Sequence, residues 1–379
     1  MDQDKILNSI IKKNLHYWNN AKWNRNDILN YFKNNLKEKR LYFIEINDKK
    51  INYKHGGGII YPRFEIILGF LNSVVNIYPN LKVTFLISIG DEIYDTDIVI
   101  HDLRTDNEKV DDPKTHSFKY GISQQDNNIL RIEKSKDTVF NFPIFSFSKT
   151  EKQKEVIIMP HMNLIKNNFI NDNTQFENKI PKVLYRFTNI RANLFMPSRY
   201  KLLELTYKYP ELLDSKGCCK ELKHKYFGEY IIHPTFVNVY KKLNIIDNNI
   251  DTDTFLELTR PKHYMTKEEM IKYKFLICND SWYNCIDYAN TNSVLLRYKC
   301  DKSKYYEDYI FEDNIDYFIF DETNYIEKHN YITNNDSIVK ESIINRKKKI
   351  KDYLIYSNLI KHVGYMLTEF SKIQERNEL

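Results

Sequence analysis

The chain predicts an α/β fold of two domains facing one another, and three observations carry that prediction. Its 379 residues are more than one small core organises, and length alone favours two domains. Short apolar runs of strand length alternate with segments whose apolar residues recur at helical spacing. An Asn-rich polar stretch over 167–178 separates two sets of these alternations, as a linker does. Strands alternating with helices imply parallel sheets covered on both faces.

Residues 1–40 read as helices rich in Lys and Asn, with Trp18 and Trp23 as packing anchors. A strand over 41–46 (LYFIEI) pairs with 50–53 across the Asn47-Asp48 turn. Gly56-Gly57-Gly58 has no GKS/T or GxGxxG frame around it and reads as a turn. Apolar residues at helical spacing fill 61–78, and 83–89 (VTFLISI) is the best buried strand, stopping at Gly90-Asp91-Glu92. A strand over 142–150 ends in a polar loop, and 156–160 (VIIMP) is a further strand. After the linker the rhythm returns at 183–209, 275–277 and 293–298, with a shorter apolar run at 316–320. From about 337 to 370 the chain is predominantly helical, and no internal repeat is visible.

Composition excludes several classes. Hydrophobic residues make up 42% and charged residues 28%, which is globular rather than disordered. Asn, Lys and Ile crowd the whole length, as a bias towards A/T-rich codons produces, so Lys and Asn carry little diagnostic weight. The formal charge of +6 comes from 57 basic and 51 acidic residues mixed throughout. A nucleic-acid binder concentrates such an excess, so no nucleic-acid partner is expected. The run Arg346-Lys347-Lys348-Lys349 with Lys351 reads as a solvated helix face. Five cysteines (Cys218, Cys219, Cys278, Cys285 and Cys300) form no CxxC and no Cys/His cluster at zinc spacing. Reduced thiols and a cytoplasmic location are expected. The N-terminus shows no signal-peptide pattern, and no apolar run reaches membrane-spanning length.

The stretch over 180–214 organises the site. An apolar run, Val183-Leu184-Tyr185, leads into Arg186, Thr188, Asn189 and Arg191, and Pro197-Ser198 then introduces a helix that includes Arg199. A strand ending in cations and hydroxyls before a helix N-terminus is a phosphate site in outline, since free N–H groups and forked Arg donors match phosphate oxygens. Its plain alternative is a surface loop solvated by arginines. Ligands of open α/β sheets sit beyond the carboxyl ends of strands. The loops at 90–92, 146–150, 186–191 and 279–282 would therefore gather in one cleft. One carboxylate among cations suits a reaction with a phosphate leaving group and a nucleophile that must lose a proton.

The order of these blocks resembles glycosyltransferase family 90, which includes capsule xylosyltransferases and protein O-glucosyltransferases. Phe145 to Thr150 with Ile158-Met159-Pro160 is similar to its pre-cleft block. Leu184-Tyr185-Arg186, Arg199 and Tyr209 to Asp214 resemble its donor-binding block, and Lys272 to Ile277 with Asn292 to Leu295 resemble its "KYKYL…SxVxF" block. The resemblance spans about 61–320. It implies a GT-B-like pair of Rossmann-like domains: an acceptor-side domain over 1–175, a donor domain over 176–340, and a helical segment over 341–379 returning to the first. It further implies an inverting transfer of a sugar, xylose or glucose favoured, from a UDP-sugar to a hydroxyl of a glycan or glycoprotein. No cofactor or metal is expected.

By position, Asp91 is the implied catalytic base, with a turn or cap aspartate as its plain alternative. Arg186, Arg199 and Arg191 map onto the diphosphate clamp, with Thr188 and Asn189 beside them. Ser148, Lys149 and His161 fall on the acceptor side of the cleft. The loop after the KYKFLI run lacks the family's glycine and arginine. It offers Asp280 and Ser281 for sugar or ribose hydroxyls and Tyr283 for stacking. That departure leaves an alternative: a catalytically inactive fold that binds carbohydrate or serves in assembly. The codon bias and absent signal fit a large DNA virus, with the protein in host cytoplasm or virion, or a microbe building its own surface glycans.

Overall fold

A computed structural model describes residues 3–23, 25–34, 41–55, 62–89, 98–102, 130–134, 140–150, 153–167, 169–187, 197–218, 237–238, 240–241, 244–278, 282–299 and 303–378. The first half opens with helices α1 (Gln3–Asn20) and α2 (Arg25–Asn34) and strands β1 (Leu41–Asn47) and β2 (Lys50–His55). Helix α3 (Pro62–Ile77) and strand β3 (Val83–Ser88) follow. Strands β4 (Ile98–Asp102) and β5 (Leu130–Lys134) form a separate antiparallel pair. Then come β6 (Ile144–Ser146), β7 (Ser148–Thr150), β8 (Val156–Ile158) and the short α4 (Met162–Ile165).

The first sheet has the order β2-β1-β3-β6-β8. Strands β3, β6 and β8 are parallel, but β1 runs antiparallel to both β2 and β3. This half is therefore mixed: the hairpin expected over 41–53 forms, and β1 also runs antiparallel to β3, where helix–strand alternation predicted parallel pairing. The cause is local. Asn47 and Lys50 pair across Asp48 and Lys49, both with positive φ (48° and 65°), the turn whose twist matches a hairpin. Pro62 starts α3, where its missing N–H costs nothing, and Phe64, Ile67, Phe70, Leu71, Val74 and Val75 bury its inner face.

The second half contains β9 (Ile180–Phe187), α5 (Pro197–Lys208), β10 (Leu213–Gly217), α6 (Thr252–Glu257), α7 (Lys267–Met270), β11 (Tyr273–Cys278), α8 (Trp282–Ala289), β12 (Val294–Tyr298), β13 (Ser303–Tyr305) and β14 (Phe318–Phe320). Its sheet, β10-β9-β11-β12-β14, is parallel at every pairing. Helices α9 (Tyr325–Asn334), α10 (Asp336–Lys349) and α11 (Tyr356–Glu378) close the chain, with a π turn at Ile350–Leu354 between the last two, in keeping with the predominantly helical stretch expected over 337–370. The result is an α/β fold of two five-stranded sheets, the first mixed and the second parallel at every pairing.

Helix α11 packs back on the first half. Ser371 donates to the Lys82 carbonyl at 2.6 Å, and Trp23 stacks on Phe370 at 6.0 Å between centroids. At the β8 edge of this sheet, Trp18 Nε1 donates to the Glu155 carbonyl at 2.8 Å, fixing α1 over β8. Both tryptophans are buried as expected.

Three sequence expectations need correction. The 167–178 stretch is anchored to the second half: Asp172 Oδ2 accepts from Lys179 Nζ and from the Asn292 N–H, each at 2.7 Å, with both charged side chains fully buried. The basic run is a solvated face only in part, at the exposed Lys348 and Lys351. Arg346 is fully buried and donates to the carbonyls of Ala289, Thr291, Ser293 and Asp316, while Lys349 pairs with Asp316 and Glu312. Lastly, the expectation of reduced thiols holds for Cys218, a free and buried thiol, and fails for Cys278, which is disulfide-bonded.

Candidate functional site

The carboxyl ends of the two sheets are tied together. Strand β7 leaves the end of β6, β13 leaves the end of β12, and the two pair antiparallel, with Ser148 opposite Tyr305, Lys149 opposite Lys304 and Thr150 opposite Ser303. Of the 146–150 segment, expected as a loop, 148–150 is therefore a strand completed by the other half, while Ser146 ends β6. Asp308 fixes the far side. Its carboxylate accepts from the Tyr305 N–H at 2.8 Å and holds Arg297 of β12 in a two-point ion pair, both side chains under 16% exposed.

Side chains alternate across a strand, and the second sheet sorts its residues accordingly. Val183, Tyr185 and Phe187 of β9, with Phe275, Ile277, Val294 and Leu296, join the core of the second half. Leu184, Leu276, Cys278 and Leu295 join a core shared with the first half. On that same inner face the last row is polar: Lys216 lies beside Arg186, and Cys278 beside Arg297.

Arg186 is spoken for. Its Nη2 donates to Asp214 Oδ2 at 2.7 Å, Nη1 to the carbonyls of Asp214 and Tyr185, and Nε to the His263 carbonyl at 3.1 Å. The pair is 5% and 14% exposed. Lys216 binds the other Asp214 oxygen at 3.0 Å. Burial pushes the Asp214 carboxyl up, but Arg186 and Lys216 outweigh it and hold it below the usual range. Burial, seconded by the charges of Lys216 and Arg186, lowers the His263 imidazole. Arg199, in the first turn of α5, sits over the Phe187 ring at 5.6 Å. Phe187 belongs to the opposite face, so the two expected clamp arginines straddle the end of β9 rather than sharing a face.

On the first half, Ser148 is buried in the ladder. Lys149 Nζ donates to the Val156 carbonyl at 2.9 Å. His161 caps α4, its Nδ1 accepting from the Asn163 N–H at 3.2 Å, with its ring edge-on to Phe147 at 5.0 Å. Asp91, Thr188, Asn189, Arg191, Asp280 and Ser281, and the triple glycine, lie outside the described residues, as does the side chain of Tyr283. Lys216, Arg297, Asp308 and His263 were not foreseen. Arg297 left one signal, a charge inside the otherwise apolar run SVLLRY. Among the described residues, no three metal-ligating side chains come together and no helix is long and apolar enough to cross a membrane.

No protein-family model matches the chain and no curated protein matches it. Twelve solved chains are similar in structure. One is TarM, at TM-score 0.34 and 12% identity, covering 59% of this chain and 43% of TarM, so this chain spans less than half of TarM's length. Another is the C-terminal domain of a glycosyl transferase group 1 family protein, LpcC, from Francisella tularensis, at TM-score 0.28 and 10% identity, covering 49% of this chain and 95% of that domain. These are partial likenesses of shape.

Proposed function

We propose that the chain is an inverting glycosyltransferase that moves a sugar, xylose or glucose favoured, from a UDP-sugar to a hydroxyl of a glycan or protein. The observation that carries this reading is the β7–β13 ladder, which holds the carboxyl ends of both sheets against one another. That is where an open α/β sheet binds its ligand, and a two-substrate transfer needs both partners at one junction.

In the proposed reaction Asp91 takes the proton of the acceptor hydroxyl, whose oxygen attacks the anomeric carbon from the face opposite UDP. The bond from that carbon to the diphosphate oxygen breaks, and UDP leaves with the electron pair. Arg199, at the start of a helix that follows the end of β9, meets the growing negative charge, with Arg191, Thr188 and Asn189 from the intervening segment. Arg186 acts one layer back. Its donors hold β9 to β10 and its charge adds to the positive field. Asp280, Ser281 and Tyr283 are assigned to the ribose or sugar, and Ser148, Lys149 and His161 to the acceptor side.

Melting of the purified protein against UDP, GDP, CMP and a panel of UDP-sugars tests this, because a ligand of the native state raises Tm by mass action. A rise with UDP that Arg199→Ala removes, together with transfer lost in Asp91→Asn but UDP binding kept, is the expected pattern. No rise with any nucleotide would overturn the reading.

A further inference from the structure

Two α/β halves joined by a polar linker are ordinarily free to hinge, unless the surface between them is large and apolar. Here four separate features oppose hinging. One hydrophobic cluster runs through both halves: Leu184, Leu276 and Leu295 of the second sheet share it with Leu86, Ile87 and Phe145 of the first. The β7–β13 ladder crosses between the halves at the carboxyl ends, backed by the Arg297–Asp308 pair. The linker is fastened by Asp172 to Lys179 and Asn292, and by a hydrogen bond from the Ile170 N–H to the Asp287 carbonyl at 3.0 Å. Helix α11 bonds back to β3 through Gln374.

Opening the halves would break the shared cluster and the ladder at once, while the Asp172 contacts and the Gln374–Thr84 bonds brace the linker against the second half and α11 against the first. The leucines would meet water, the ladder groups would lose their partners, and the fully buried Asp172–Lys179 pair lies where a hinge would have to bend. A buried charge separated from its partner is costly, so the linker is the least pliable place for a pivot. We infer that the two halves form one locked body with a preformed junction, and that ligands bind there without the halves parting. The inference goes beyond the proposed function and rests on it only for the nature of the ligand.

A cross-link across the ladder tests it. Thr150 and Ser303 face one another in register, and the double variant T150C/S303C is oxidised to a disulfide confirmed by peptide mass. The wild-type protein, treated identically, controls for Cys278. UDP-induced melting shifts are expected to match within experimental error between cross-linked and reduced forms. A shift that disappears on cross-linking and returns with reductant would overturn the lock. If UDP shifts neither form, the donor reading fails, and X-ray scattering without ligand decides the lock by itself. Superimposable curves for the cross-linked and reduced forms uphold it, and a larger radius of gyration in the reduced form overturns it.

Discussion

Gln374, close to the end of α11, hydrogen-bonds the backbone of Thr84 in both directions: its Oε1 accepts from the Thr84 N–H at 2.9 Å and its Nε2 donates to the Thr84 carbonyl at 3.0 Å. Strand β6 pairs with β3 only from Leu86 onward, so a side-chain amide takes the place of a missing neighbour strand. Asn14 does the same at the open edge of β8, bonding the Ile158 carbonyl at 2.8 Å and N–H at 2.9 Å. Both amides are buried. Gln374→Leu and Asn14→Leu each strand two backbone groups, at about 1–3 kcal/mol per unpaired group. Chemical denaturation is expected to show a lower midpoint for both at unchanged slope.

The arginines straddling β9 are expected to separate stability from binding. Arg186→Ala leaves Asp214 with Lys216 alone in a site scarcely open to water, and breaking a buried pair costs roughly 3–5 kcal/mol. Arg199→Ala loses a cation–π contact of about 0.5–1 kcal/mol. Melting curves therefore fall steeply for the first variant, while UDP binding is lost in the second. Acid sensitivity carries the same signature. Because the Asp214 carboxyl is held below its ordinary value, its contribution is present above that ordinary value and fades as pH drops through the lower folded value. Arg186→Ala should flatten that limb of the pH–stability curve.

Much of this fold was legible because apolar runs declare themselves. The stretches that became α3, β3, β9, β11 and β12 are dense in Ile, Leu, Val, Phe and Tyr at the right period. What escaped is structure made by a distant partner. Ser148-Lys149-Thr150 has no apolar alternation and is a strand only because 303–305 lies against it. Asp172 looks like any linker aspartate until Lys179 and Asn292 converge on it. Arg346 is indistinguishable within a basic run from neighbours such as the exposed Lys348. In the candidate site, Arg186 stood out by charge and position. The spending of its donors on Asp214, 28 residues later, follows from strand register and not from local pattern.

Glu307 gives the structure a pH dependence of the opposite sign. It is 1% exposed in the turn after β13, and its Oε1 has no hydrogen-bond partner. Burial, with Asp308 adding to it, pushes the carboxyl up to about 8 against the pull of its own backbone N–H and Arg297. The folded state thus prefers the neutral acid. Stability is full below the unfolded value of about 4.5 and declines as pH rises towards about 8. Glu307→Gln removes that slope, with a gain over wild type of roughly 3–5 kcal/mol at pH 8 and little change at pH 4. Burial also lowers the His362 imidazole, to about 4, which tilts stability the other way, so the difference between variant and wild type isolates Glu307. A difference independent of pH would show that the carboxyl is ionised in the fold.

The contact between α3 and α11 depends on the absence of one side chain. A Cβ placed on Gly364 would overlap the ring of Tyr78, whose hydroxyl donates to the Lys361 carbonyl at 3.1 Å. Helical glycine ordinarily costs about 1 kcal/mol relative to alanine, so Gly364→Ala in an open helix would stabilise. Here overpacking opposes that gain at about 1–3 kcal/mol, because the ring cannot yield without surrendering its hydrogen bond. The single variant is expected to melt lower than wild type. In a Tyr78→Ala background the clash is gone and only the propensity remains, so the same glycine-to-alanine change should raise Tm. That reversal of sign in a double-mutant cycle assigns the cost to the Tyr78 contact; the same loss in both backgrounds would place it in the helix itself.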